Sequence, residues 1–225
     1  MTSQARKPVY SGTRIAAISA VLAVWFATAY FIGVEHLLTN SDAALIPPIA
    51  LTVAIPIIAF LALYALSRRF RRFVLSHDIE TLTMLQHWRV VGFGFLLLYF
   101  YDVLPGLFAW PAGVGDVAIG LAAPFIVARL RRDPDFTSSA GLIRFHYLGL
   151  LDFLVALVTA GLAAGAIPAL IPTGLTSAPM DVWPLNLFPS FMVPIFVILH
   201  LVVLLKVREI RKASTYDVET AIRAV

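Results

Sequence analysis

The sequence predicts an all-helical integral membrane protein, a bundle of six transmembrane helices with both termini in the cytoplasm. Three observations carry this. First, the chain has 225 residues, of which 60% are hydrophobic and only 13% charged, with a mean hydropathy of +0.88, against about 25% charged residues in soluble domains. Second, the apolar residues fall into continuous runs at about 14–34, 44–67, 89–109, 115–130, 142–166 and 184–205, and a bilayer core needs about 20 apolar residues per helix. Third, all 17 Lys and Arg residues lie on one side of the pattern. They sit before the first run, between the second and third, between the fourth and fifth, after the sixth, or at run ends facing those segments. That is the positive-inside pattern. A transmembrane barrel would show short alternating strands instead.

These runs leave no room for a soluble domain, so residues 1–225 read as one membrane domain. The pI near 9.6 does not indicate nucleic acid, because the basic residues lie close to membrane ends. Arg68, Arg69, Arg71 and Arg72 alternate with Phe70 and Phe73, a pattern that suits anionic lipid headgroups. The bilayer is thus the expected partner, with a second copy or another membrane protein as further candidates. There is no cysteine, which excludes disulfides and thiolate metal sites. The excess of Arg over Lys and the compact loops point to a bacterial inner (plasma) membrane.

The first run follows Arg6, Lys7 and Arg14, and Ala27-Thr28-Ala29 resembles a signal-peptidase site. Cleavage there would leave five helices. The run continues through Tyr30, Phe31, Ile32 and Val34, which is long for a signal and right for a span. Helix 2 carries Pro47 and Pro48, suited to a first helical turn, and Pro56, expected to kink it. In the 68–88 connection Leu75, Ile79, Leu82 and Leu85 recur at helical spacing opposite polar residues, predicting an interfacial amphipathic helix over about 76–88.

Helices 3 and 4 form one apolar stretch broken by Leu104-Pro105-Gly106 and by Trp110-Pro111-Ala112-Gly113-Val114-Gly115-Asp116. This concentration of Pro and Gly predicts a turn, hence a short helix 3–4 hairpin on the outer side within an aromatic belt of Tyr99, Tyr101, Phe108 and Trp110. Helix 5 runs outward. Helix 6 returns with Pro184, Pro189 and Pro194, followed by a polar tail over 207–225 holding at most one short helix. No inverted repeat relates helices 1–3 to 4–6.

Few polar residues need a function. Asp42, Asp116 and Asp181 each precede a helix entering from outside, where a carboxylate caps free N–H groups. Glu35 and Asp102 stand at outward C-terminal ends, where the dipole disfavours an anion. Glu35 is at the water boundary; Asp102 is a candidate for cation or tyrosine binding. Asp152 lies about 10–15 Å into helix 5, on a face with Gly149, Ala156, Thr159, Ala160 and Ala163. Small residues at this spacing mark a helix–helix interface, so Asp152 faces protein, and a carboxylate there costs on the order of 3 kcal/mol.

On helix 6, His200 shares nearly one face with Asn186 and Ser190. His146 starts helix 5 and Arg89 starts helix 3 on the same side. Arg89, His146, Asp152 and His200 therefore form the expected inner-half constellation; the long Arg89 side chain can extend inward, but the sequence does not establish a contact with Asp152. Asp152, His146, His200, Arg89, Asp102 and Asn186 are the candidate substrate- or proton-binding residues, with no catalytic residue assigned.

Two histidines at similar depth on neighbouring helices also fit haem ligation. No metal-ligand spacing, catalytic triad order or nucleophile elbow appears. Gly92-Phe93-Gly94 and Gly113-Val114-Gly115 lie in or beside apolar spans, where phosphate cradling is implausible. Three activities fit this residue set, with no enzyme favoured. The first is a small transporter or permeation-type protein with a protonatable carboxylate. The second is a haem or redox protein using His146 and His200. The third is an accessory subunit packing through the small face of helix 5.

Overall fold

A computed structural model describes residues 12–39, 47–164 and 174–223, and over these the chain is helical without strands. The helices are α1 (Gly12–Val34), α2 (Pro48–Leu66), α3 (Arg68–Leu75), α4 (Ile79–Leu85), α5 (Phe93–Phe100), α6 (Gly106–Arg132), α7 (Ala140–Leu162) and α8 (Val193–Arg223). Short 3-10 helices span Gln86–Gly92, Pro134–Ser138 and Ala178–Asp181, and a π-helix covers Phe188–Met192. Among the described residues five segments are long and apolar enough to cross a membrane: Gly12–Val34, Pro48–Leu66, Gly106–Arg132, Ala140–Leu162 and Phe188–Ala213. The expected Asp42 cap and the start of the second run at 44–46 lie outside the described residues, as do residues 165–166 of the fifth run.

Local chemistry sets most helix ends. Pro47 and Pro48 begin α2, and the hydroxyl of Ser67 accepts from the Phe70 amide to start α3. Asp78 and Ser139 do the same for α4 and α7. At the other ends, α1 and α5 stop in the same way. His36 (φ 56°) and Asp102 (φ 53°) are left-handed. The following amides, Leu37 and Val103, reach back to the carbonyls of Ile32 and Leu98 at 3.0 and 2.8 Å. This is the Schellman stop, and Asp is among the residues that tolerate its αL position.

The third and fourth runs depart from expectation. Helical backbone continues from α4 through the 3-10 segment into α5, so this stretch is one path in three pieces rather than a single helix over 89–109. The turn is at residues 101–105, and α6 passes unbroken through Pro111, Gly113 and Gly115. Pro111 lies near the start of α6, so it removes only one main-chain bond early in the helix. The glycines serve packing: a Cβ on Gly113 would lie 3.2 Å from the Gly92 carbonyl, and one on Gly115 would overlap the Asp152 carboxylate.

The amphipathic element also differs. In place of one helix over 76–88 there are α3 and α4, and the basic cluster is on α3. Ile79 and Leu82 are buried as the spacing predicts, whereas Leu85 is 39% exposed. The sixth run enters helix at 187–188 rather than 184, and α8 continues through the expected polar tail to Arg223.

Two helix-interior prolines become tertiary anchors. Pro124 has no N–H for the Gly120 carbonyl, and His87 Nδ1 donates to that oxygen at 2.9 Å. Pro194 likewise frees the Ser190 carbonyl, which accepts from the Trp25 indole at 2.9 Å. The first contact fixes the 3-10 segment on α6; the second fixes α1 on the last span. Apolar clusters lie toward both ends of the bundle, one including Leu130, Leu142 and Val203, the other Leu104, Phe108 and Met180. Between them lies the polar site.

Candidate functional site

Arg89 is the centre. It sits midway along the 3-10 segment Gln86–Gly92 and is 1% exposed. A seven-residue 3-10 run is long for this geometry. Glycines let it lie against α6: a Cβ on Gly120 would meet the Val90 amide at 2.8 Å.

The guanidinium spends its donors on three helices. Its Nε donates to Asp116 Oδ1 of α6 at 2.7 Å, and its Nη2 to Asp152 Oδ2 of α7. Nη1 reaches the Gly149 carbonyl at 3.3 Å and His200 Nε2 of α8 at 3.1 Å. The Phe153 ring lies 3.9 Å from the guanidinium carbon, close enough for a desolvated cation–π contact worth about 2 kcal/mol.

The histidines continue the network. Arginine offers no acceptor, so His200 Nε2 accepts, and neutral His200 carries its proton on Nδ1. That proton faces His146 Nδ1 at 2.7 Å. His146 is then protonated on Nε2, which lies 3.4 Å from the Thr83 hydroxyl of α4. Each tautomer follows from its neighbour. His146, His200 and Thr83 are all fully buried.

Close approach depends on missing Cβ atoms. A Cβ on Gly92 would overlap Asp116, one on Gly115 would overlap Asp152, and one on Gly149 would overlap the His200 ring and meet Arg89 Nη1 at 3.1 Å. So Gly149, read from sequence as interface packing, does lie at an interface, that of α7 with α8. Ala163 is buried too, and Ala156 and Ala160 pack on the apolar cluster of Leu104, Phe108 and Met180. Of the small face of α7, Gly149 and Ala163 are buried within the chain, while Ala156, Thr159 and Ala160 are half-buried.

The structure therefore joins Arg89, His146, Asp152 and His200, and makes the Arg89–Asp152 pair. It does not bring in the other two candidates. Asp102 is exposed in the α5–α6 turn, where its left-handed backbone stops a helix. Asn186 is buried elsewhere, donating from Nδ2 to the Ala29 carbonyl of α1 at 2.7 Å. Asp116 corrects the capping expectation, since it stands inside α6 on Arg89. Asp181 ends a 3-10 helix, and burial lifts its carboxyl from the usual carboxylate range to about 6.

Sequence reasoning missed Asp116 and Thr83 as site members. The signal for Asp116 was present: a buried guanidinium wants more than one acceptor, and Asp116 follows a glycine pair that no turn uses. A third missed group is Gln86, fully buried, whose Nε2 donates to the Phe196 carbonyl at 3.2 Å while Oε1 has no hydrogen-bond partner among the described residues.

Chemically, the site combines one fixed cation with two carboxylates. With neutral histidines it stands one proton short of neutrality. The carboxylates are the accessible edge, with side chains 14% (Asp116) and 12% (Asp152) exposed against 0% for Arg89. Among the described residues no group of three or more His, Cys, Asp or Glu is placed to hold a metal ion. A haem iron between His146 and His200 would require parting two rings that now bond each other.

No curated protein and no solved structure matches the chain. A family model described as a domain of unknown function, DUF8737, matches residues 46–208. That range begins just before α2, leaves α1 outside, and holds every member of the Arg89 network. The chain belongs to the DUF8737 family.

Proposed function

We propose that this is a six-span inner-membrane protein, N-in and C-in, and a small proton-linked transporter or permeation-type protein. Its Asp116–Asp152 pair binds and releases one proton against Arg89. The third span in this reading is the α4–3-10–α5 path. The observation that carries the proposal is the pair of carboxylates on one buried guanidinium. In this reading Asp116, about 15 Å from the start of α6, and Asp152, about 18 Å from the start of α7, are both near mid-membrane. A net charge there is costly, and one proton removes it. Arginine does not give up its proton, so the carboxylates carry the exchangeable one. His200 holds Arg89, and His146 holds the tautomer of His200.

The test uses purified protein in liposomes with an entrapped pH dye and an imposed potential. Infrared spectra of the same protein follow the protonated-carboxyl band. The expected result is a dye-reported proton flux lost in Asp152→Asn, with a carboxyl band that titrates in the wild type and changes in Asp152→Asn and Asp116→Asn. Absence of both flux and titrating band in folded wild-type protein would leave the network a structural clasp and overturn the proposal.

A further inference from the structure

We infer that the cleft between α1 and the α2–α3 corner binds one anionic glycerophospholipid. Its phosphate would lie on Arg14, Arg69 and Arg72, and an acyl chain would run up the α1–α2 groove. Two cavities carry this. The first, about 340 Å³, is lined by Arg14, Arg69, Arg72, Phe73 and Ser76. The second, about 520 Å³, is lined by Ala20, Val21, Val24, Trp25 and Pro56.

Their order along the helices is that of a lipid. Arg14 is in the first turn of α1, and Arg69 and Arg72 follow directly on the end of α2 at Leu66. From Arg14 the apolar lining of α1 begins about 9 Å deeper, at Ala20, and ends about 16 Å deeper, at Trp25. Pro56 lies about 15 Å from the end of α2. A basic cavity thus lies beside the start of α1, and an apolar groove lies further along the same helix.

The arginines of α3 divide their roles. Arg71 turns back, donating from Nε to the Tyr64 carbonyl at 3.3 Å with its guanidinium 5.1 Å from the Tyr64 ring. Arg69 and Arg72 are exposed and face the cavity with Arg14. Among the described residues none of these three makes an ion pair. Phe70 on the same helix packs on Phe60 of α2 with ring centroids 5.8 Å apart, which fixes the basic face. Three unpaired guanidiniums call for a phosphate, and the groove calls for an alkyl chain. A phospholipid supplies both, whereas free phosphate fills only the first.

The experiment measures thermal unfolding of the full chain in neutral detergent during titration with dioleoyl phosphatidylglycerol, dioleoyl phosphatidylcholine or inorganic phosphate. The anionic lipid should raise Tm saturably. Its apparent affinity should fall about fivefold in Arg14→Gln and again in Arg72→Gln, as expected for charges at a lipid surface. Val21→Trp, which fills the groove, should also weaken it. Arg68→Gln, which removes the same charge from α3 outside the cavity, should weaken it less than either. An equal shift with inorganic phosphate would assign the cavity to a free anion. An equal shift with phosphatidylcholine would reduce the cleft to an apolar face. An equal loss in Arg68→Gln would reduce the effect to diffuse charge. A lipid-free dimer that Val21→Trp breaks would give the groove to a second copy. Each of these overturns the assignment.

Discussion

Replacing Arg89 with Met keeps much of the side-chain volume but removes every donor at the centre of the site. Asp116 loses its 2.7 Å bond, Asp152 its ion pair, and His200 its 3.1 Å donor, while the Phe153 face loses its cation. Breaking a buried pair from one side strands the other charge, at a cost of about 3–5 kcal/mol. Here two carboxylates are stranded beside one another, so the loss should fall in the upper part of that range. The variant Arg89→Met/Asp116→Asn/Asp152→Asn leaves no buried charge and should recover most of it, because apolar or neutral replacements of buried ionic groups are often nearly neutral. Arg89→Met/Asp152→Asn should recover only part, since Asp116 stays unpaired. The assay is denaturant unfolding of the detergent-solubilised chain followed by tryptophan fluorescence, with the three variants compared against the wild type. A loss below about 1 kcal/mol in Arg89→Met, or no recovery in the triple variant, would refute the reasoning that charge compensation holds this cluster together.

Gly149→Ala and Gly115→Ala should each destabilise by about 1–3 kcal/mol through forced displacement of the His200 ring or the Asp152 carboxylate. Gly161→Ala, where a Cβ meets nothing within 4 Å, should be neutral or stabilising by up to about 1 kcal/mol in the same unfolding assay. Equal effects at the three sites would contradict the packing role. Asp181 gives a pH signature outside the spans: its folded pKa is raised by burial to about 6. Stability is therefore fully present below the ordinary carboxylate range and declines as pH rises through about 6. Asp181→Asn should flatten that decline in thermal unfolding measured across this window, and an unchanged slope would count against burial as its cause.

By itself the sequence determined the class. Continuous apolar runs can satisfy their main chain in lipid only as helices, so 60% hydrophobic composition and run lengths near a bilayer thickness lead directly to spans. It also determined the cost of burying Arg89, Asp152, His146 and His200, which is why those four were legible as a constellation. What it did not determine was which local signals would be overridden. Pro111, Gly113 and Gly115 punctuate a chain in isolation, yet inside α6 they give close approach to the 3-10 segment and to Asp152. Asp102 and Asp116 show the same limit in reverse. Both are acids beside a Pro/Gly run, but one stops a helix and the other meets a guanidinium on a different segment. Hydropathy and spacing are properties of one segment. The partners of Arg89 are read only where α6, α7, α8 and the 3-10 helix converge, because the free energy of a buried charge depends on neighbours that are distant in the chain.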